Sequence, residues 1–466
     1  MATEDKSDQA SFPVSFVPTP SKEYRTHRKT MKATAQPGAP AGPLPTPMPI
    51  PIPIPILLPG ARVLIYKQDP SVSEIGIRKV FLPGHIFAGP KDGRITSGTP
   101  GLPGVSPNAF GDLIEIPPDT DAFDAVHTFA IVRMTLTMYQ RALATGGSQA
   151  PVPWQWNNAN NAEPLNVFPH GLPNVMNAYY SRNVKSVKFG DFVPSGGGAR
   201  VFTCRSLDIV SHETGHAILD GLKPGWIESS NTPQTGGLHE SFGDLTAIFL
   251  ALSQLDQVEA VIAQTKSNLH DKTFLADLAE QFGLALGRPT GLRNADNDLK
   301  LSQVSSEVHD ISQVFTGAIY DILADIFAFE RKPAVRDDAA VLHEVAQYLC
   351  GLCLRAIIAA PKTNATFADV ANQMLKIAFA DNKPVQYRNF IRNRFAVREV
   401  IVSPTPLTVD HEPSHVMKAG IKDAPGAVQD RRACCGTMQL PEYTGAEQAL
   451  QAEIEEFKKS LAGLKR

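Results

Sequence analysis

SLDIVSHETGHAILDGL (206–222) and TGGLHESFGDLTAIFLAL (235–252) govern how the rest of this chain is read. In the first stretch His212 and His216 are four residues apart. On a helix that spacing puts both on one face, one turn apart, so both imidazoles can reach a single tetrahedral zinc ion. Glu213 sits about 100° round the same helix, so it flanks the metal instead of binding it. There it is placed to take a proton from a zinc-bound water, whose pKa zinc lowers towards neutrality. The flanking SLDIV and AILD have buried helical spacing, which weighs against a surface helix that merely carries two histidines. Gly215 costs that helix about 1 kcal/mol relative to Ala, which marks a close approach of another segment. Two histidines leave zinc short of a third protein ligand, and the second stretch supplies one. Glu240 and Asp244 are again four apart on one face. Glu240 is assigned to the metal, and Asp244 to accepting a ligand histidine's other N–H. His239, adjacent to Glu240, points elsewhere and is read as a packing or supporting residue.

The remaining composition narrows the classes. With 466 residues, two packed lobes plus a tail are expected. A net charge of -3 offers no basic field for nucleic acid and no acidic solvating block. The start, MATEDKSDQASF, shows no secretory signal, which leaves the cytoplasm or a non-standard export route. In PMPIPIPIPILLPGARVLI the repeated prolines block a spanning helix, and no other uninterrupted apolar run of about 18 residues is seen, so no membrane span is expected. Five cysteines without a regular framework argue against a disulfide-built scaffold. Cys350 and Cys353 read as a buried helix-face pair in preference to a redox or metal pair, and Cys434 and Cys435 as loop or tail thiols.

Four segments follow from the patterning. Residues 1–60 form a Pro-rich low-complexity arm favouring polyproline II, either a stiff spacer or a ligand for a proline-reading partner. Residues 61–222 form a β-rich lobe ending in the HExxH helix, with strands in ARVLIYKQD and IRKVFLPG and a buried helix at 121–143. NAYYSRNVKSVKFGDF (177–192) reads as two strands joined by a turn at Ser181-Arg182-Asn183. Residues 223–402 have helical period in QVFTGAIYDILADIFAFE, AAVLHEVAQYLCGLCLRAII and FADVANQMLKIAF. Residues 403–466 are a loop-rich tail ending in an amphipathic helix that can pack on the body or on a partner. Strands first and helices after, with the changeover near residue 210, give an α+β fold with a cleft between two lobes.

Together, SLDIVSHETGHAILD and GGLHESFGD resemble the thermolysin-like zinc metallopeptidases, the glutamate-zincins, with their HExxHxxxD helix and downstream NExxxD helix. His212, Glu213, His216 and Asp220 match the first pattern; Glu240 and Asp244 match the second. The resemblance extends over roughly residues 120–400. It implies a thermolysin-like two-lobed fold with zinc in the cleft, and an endopeptidase acting on extended peptides or unfolded protein. It makes Asn177 and Ala178 part of a peptide-holding edge strand, and Asp220 a support for the metal site. Through SSEVHDISQVFTGAIYDIL it implies His309 as donor to the developing oxyanion, and through GLRNADNDL it implies Arg293 as the grip on the substrate carbonyl. There are departures. His239 stands where the family usually has Asn, and Val304 where it often has an acidic partner for His309. Trp226 is the nearest aromatic to an expected tyrosine. Asp208 matches a calcium ligand, but Ala251 replaces an expected glutamate, which argues against a full double-calcium site. These departures motivate an alternative: a zinc-binding, weakly active or inactive homologue that binds peptides or protein partners.

Overall fold

The computed structural model describes residues 60–400, apart from 73–75, 100–102, 149, 195–196, 229–230 and 286–290. The expectations for the Pro-rich arm, the tail at 403–466 and Cys434-Cys435 lie outside the described residues.

Strands β1 (Gly60–Tyr66) and β2 (Ile77–Pro83) pair antiparallel, Gly60 opposite Pro83. In β1 the alternate residues Ala61, Val63 and Ile65 are buried, as the two-residue period of a strand requires. A second sheet contains β3 (Ile95–Ser97), β4 (Leu165–Leu172), β5 (Ala178–Ser181), β6 (Ser186–Phe192) and β7 (Val201–Phe202). Its order is β3-β4-β6-β5, with β7 pairing β6; β3–β4 and β4–β6 are parallel, while β5–β6 and β6–β7 are antiparallel. The predicted pair of strands at 177–192 is therefore β5 and β6, and β5 ends the sheet order. Helix α1 (Asp121–Thr145) packs on β1, β3 and β4. Its N-cap Thr120 accepts from the Phe123 N–H at 3.2 Å.

Beyond Phe202 the chain turns helical. The helices are α2 (Leu207–Leu222), α3 (Pro233–Leu252), α4 (Leu255–Thr265), the short α5 (Glu280–Ala285), α6 (Val308–Glu330), α7 (Asp338–Ala359), α8 (Phe367–Ala380) and α9 (Val385–Val397). One small ladder interrupts them, β8 (Asp277–Leu278) with β9 (Arg293–Asn294). The described fold is thus α+β, with the changeover between Phe202 and Leu207.

Helix α3 is buried along its whole length, polar residues included, and packs against α2 and α6. At the α2–α3 crossing a Cβ on Gly215 would lie 2.7 Å from Thr246 Oγ1 and 3.3 Å from the Gly243 Cα. That is the close approach the helical glycine signalled. By length and composition α6 and α7 are each apolar enough to cross a membrane. Neither is an uninterrupted apolar run, because Asp321 and Asp325 break one, and Glu344 and Arg355 the other. Within the fold, 83% and 67% of their apolar windows are buried. Cys350 and Cys353 are free thiols buried on α7, and burial pushes Cys350 up to about 12. Trp226 is a core residue, fully buried, its Nε1 donating to the Pro361 carbonyl at 2.9 Å.

Candidate metal centre

The α2–α3 crossing turns the His212/His216 face of α2 towards Glu240 of α3. His212 Nε2 lies 3.4 Å from Glu240 Oε2, and His216 Nε2 lies 3.6 Å from Glu240 Oε1. One donor atom from each of the three residues falls within 4.8 Å of the others. Two donors about 2.0–2.1 Å from a tetrahedral ion are themselves about 3.3 Å apart, so each histidine stands near ligand spacing from one oxygen of Glu240. His212, His216 and Glu240 are 5%, 0% and 0% exposed. Neither Glu240 oxygen, nor His216 Nε2, has an aligned hydrogen-bond partner among the described residues. A buried carboxylate left so costs several kcal/mol, which a cation at the point of convergence offsets.

Two other clusters have metal-like composition, Asp124–His170–Cys204 and His270–Asp296–Asp321. In both an arginine already supplies the positive charge. Arg205 binds Asp124 through Nε and Nη2 at 2.8 and 2.9 Å, and Arg398 Nη2 donates to Asp321 at 2.9 Å. No lysine or arginine pairs with Glu240 among the described residues, so the His212 group is the one whose donors fit a metal.

The electrostatics are those of one carboxylate among imidazoles. Burial favours the neutral acid at Glu240, but the charge of His309, first among the surrounding imidazoles, overrides it and holds the group well below the usual range. At His212 burial opposes the charge, and the Asp244 and Glu240 carboxylates beside the ring outweigh it, raising the group to about 10. Burial drives His216 well below the ordinary histidine value and His239 to about 4.

A ring of supports surrounds the three donors. His212 Nδ1 lies 3.0 Å from Asp244 Oδ1. Asp244 is in turn clasped by Arg293 of β9, whose Nε and Nη2 donate to it at 2.6–3.1 Å. His216 Nδ1 lies 2.7 Å from His239 Nδ1, the rings 4.8 Å apart and inclined by 27°. Asp220 corrects the expectation that it would support a ligand histidine. It is the next turn beyond His216, and its carboxylate reaches outward to the edge strand. There it accepts from Tyr180 Oη at 2.8 Å and Arg182 Nε at 2.9 Å.

His309 stands at the start of α6 with Nε2 3.1 Å from Glu240 Oε2, so the structure brings it to the same cluster. Its acidic partner is Glu307, which the sequence reading missed by looking five residues upstream, at Val304. Glu307 caps α6, one oxygen accepting from the His309 and Asp310 N–H groups at 3.0 and 2.9 Å. Its other oxygen lies 2.7 Å from His309 Nδ1. The signal available in sequence was a Glu at a helix N-cap position two residues before the histidine.

Glu213, 1% exposed, lines a pocket of about 40 Å³ together with His212, Asp244 and Arg293. Ile209, Ala247, Leu278 and Leu292 give it apolar walls, and Thr203 and Asp208 add two more polar ones. Ala178 of β5 also reaches it. Asn177 does not line this pocket; its side-chain oxygen accepts from the Ala178 N–H at 2.9 Å and its carbonyl from the Gly190 N–H at 2.9 Å, which ties down the start of β5.

No protein-family model matches the chain, and no curated protein matches it in sequence. The reading of the site therefore stands on its geometry. For calcium that geometry gives little. Asp208 is raised by burial and by the neighbouring Asp69 carboxylate, and it accepts from the Ala279 N–H at 3.1 Å. It belongs to none of the three metal-like groups among the described residues, and Ala251 is buried in the α3 core.

Proposed function

We propose that this chain is a zinc-dependent endopeptidase with a thermolysin-like two-lobed build, hydrolysing peptide bonds of extended or unfolded polypeptides. The observation that carries the reading is the convergence of His212, His216 and Glu240, all buried, one donor atom of each within 4.8 Å of the others, with Glu213 on the adjoining pocket. Zinc held by these three residues would supply Lewis acidity and bring the pKa of a bound water near neutrality. The peptide adds along β5, the last strand of its sheet, so that main-chain hydrogen bonds give affinity for many sequences. Glu213 takes the proton of the attacking water and returns it to the leaving amine. His309, oriented by Glu307, donates to the developing oxyanion, and Arg293, itself fixed by Asp244, faces the pocket for the substrate carbonyl. The apolar walls at Ile209 and Leu292 favour an apolar substrate side chain next to the cleaved bond. The partners are peptide or unfolded protein, with no nucleic acid and no membrane span.

Metal analysis of the purified protein, with casein digestion in the presence and absence of chelator, tests this. Bound zinc with chelator-sensitive fragments supports it; absence of zinc, or cleavage indifferent to chelator, refutes it. A second reading, a zinc-bound peptide-binding homologue with weak or no turnover, is favoured by one observation: Trp226, nearest to the expected tyrosine, is locked in the core. Intact casein with stoichiometric zinc would select it.

A further inference from the structure

We infer that His239 is a positioning residue that fixes the proton of His216, so that His216 presents a bare Nε2 to the metal. The inference rests on the zinc-site reading above and concerns how that site is held.

His216 Nδ1 and His239 Nδ1 are 2.7 Å apart, and both side chains are fully buried. Two ring nitrogens at that separation share one proton, because two lone pairs repel and two N–H groups collide. His216 Nε2 faces Glu240 Oε1 at 3.6 Å, beyond hydrogen-bond reach, and a metal ligand there needs a lone pair. The proton of neutral His216 must then lie on Nδ1 and be donated to His239 Nδ1. His239 carries its own proton on Nε2. That Nε2 has no hydrogen-bond partner among the described residues, so its surroundings do not choose between the two tautomers. The demand made on His216 chooses.

The two ligand histidines thus receive unequal acceptors. His212 has the Asp244 carboxylate, already balanced by Arg293. His216 has a neutral imidazole. A carboxylate at position 239 would add a further buried negative charge beside those of Glu213, Glu240 and Asp244. Histidine supplies an acceptor without that charge, and its ring, lying near-parallel to His216, holds the acceptor in one place.

The test compares wild type, His239→Asn and His239→Leu by zinc affinity in chelator competition. It adds long-range proton–nitrogen NMR of the zinc-loaded, histidine-labelled wild type. Asn keeps an acceptor oxygen and should hold zinc within about threefold of wild type; Leu removes the acceptor and should weaken zinc binding roughly 10–100-fold. The spectra should show His239 protonated on Nε2 and bare on Nδ1. Leu binding zinc as tightly as wild type, or Asn binding as weakly as Leu, overturns the inference. So does a His239 proton found on Nδ1, a readout that decides the matter even if the Leu variant does not fold. Failure of the endopeptidase reading looks different: wild type binds zinc and cleaves nothing, while these affinities and tautomers stay as expected.

Discussion

Gly243→Ala places a methyl group where the His212 ring lies. The new Cβ would sit 2.6 Å from both Cε1 and Nδ1 of the ring and 2.8 Å from its Cγ. Non-bonded carbons settle at about 3.5–4.0 Å, so the ring must retreat by about 1 Å. It cannot retreat without loss, because Nδ1 is held by Asp244 at 3.0 Å and Nε2 faces Glu240 at 3.4 Å. A functional constellation tolerates about 0.5 Å, and zinc–ligand distances only about 0.2 Å. Zinc affinity should therefore fall by at least 10–100-fold, the range seen when a ligand's orientation is disturbed. The fold should survive. Alanine adds about 1 kcal/mol of helix preference over glycine, against about 1–3 kcal/mol of overpacking. The assay is chelator competition for zinc, paired with denaturant melts of the metal-free protein. Gly215→Ala is the control: its Cβ meets Thr246 Oγ1 at 2.7 Å, not an imidazole, so it should destabilise the crossing while disturbing zinc affinity less. A Gly243→Ala protein with wild-type zinc affinity would refute the claim that this crossing sets the His212 ring.

Glu213→Gln should keep zinc and lower kcat roughly 10²–10⁴-fold, the worth of a general base, as read by casein digestion of the metal-loaded variant. Glu307→Gln leaves the α6 cap partly in place but removes the carboxylate charge on His309; kcat should fall roughly 10–100-fold with KM little changed. Metal removal should lower thermal stability, because a ligand at 100 times its Kd contributes about 2.7 kcal/mol to the folded state alone; equal melting points with and without chelator would contradict a buried zinc site. Acid should act through His127, which burial holds at about 4 in the folded state, against about 6.5 unfolded. Between those values the unfolded chain binds the proton and the folded chain does not. Stability is then full above the unfolded value and falls by roughly 3 kcal/mol as pH drops through the window. His127→Phe should flatten that fall in denaturant melts, and an unchanged pH profile would exclude the residue.

Local periodicity made much of this protein legible in its sequence. A four-residue step on a helix puts His212 with His216, and Glu240 with Asp244, on common faces whatever the rest of the chain does. The two-residue step of a strand likewise made β1 readable. These are short-range geometric facts, fixed by helix rise and strand pleat. What tertiary structure decided was which faces meet and which partner each polar group takes. The Gly215–Gly243 approach, not either motif, brings Glu240 between the two imidazoles. Glu307 supplies the carboxylate sought at Val304, because a helix N-cap turns its second oxygen towards the residue two further on. His239 reaches His216, and Asp220 goes to Arg182 and Tyr180 of the edge-strand hairpin. The apolar excess of α6 and α7 is matched by neighbours that bury most of each helix. Such pairings depend on distances between segments remote in the chain, and those distances exist only once the helices have packed.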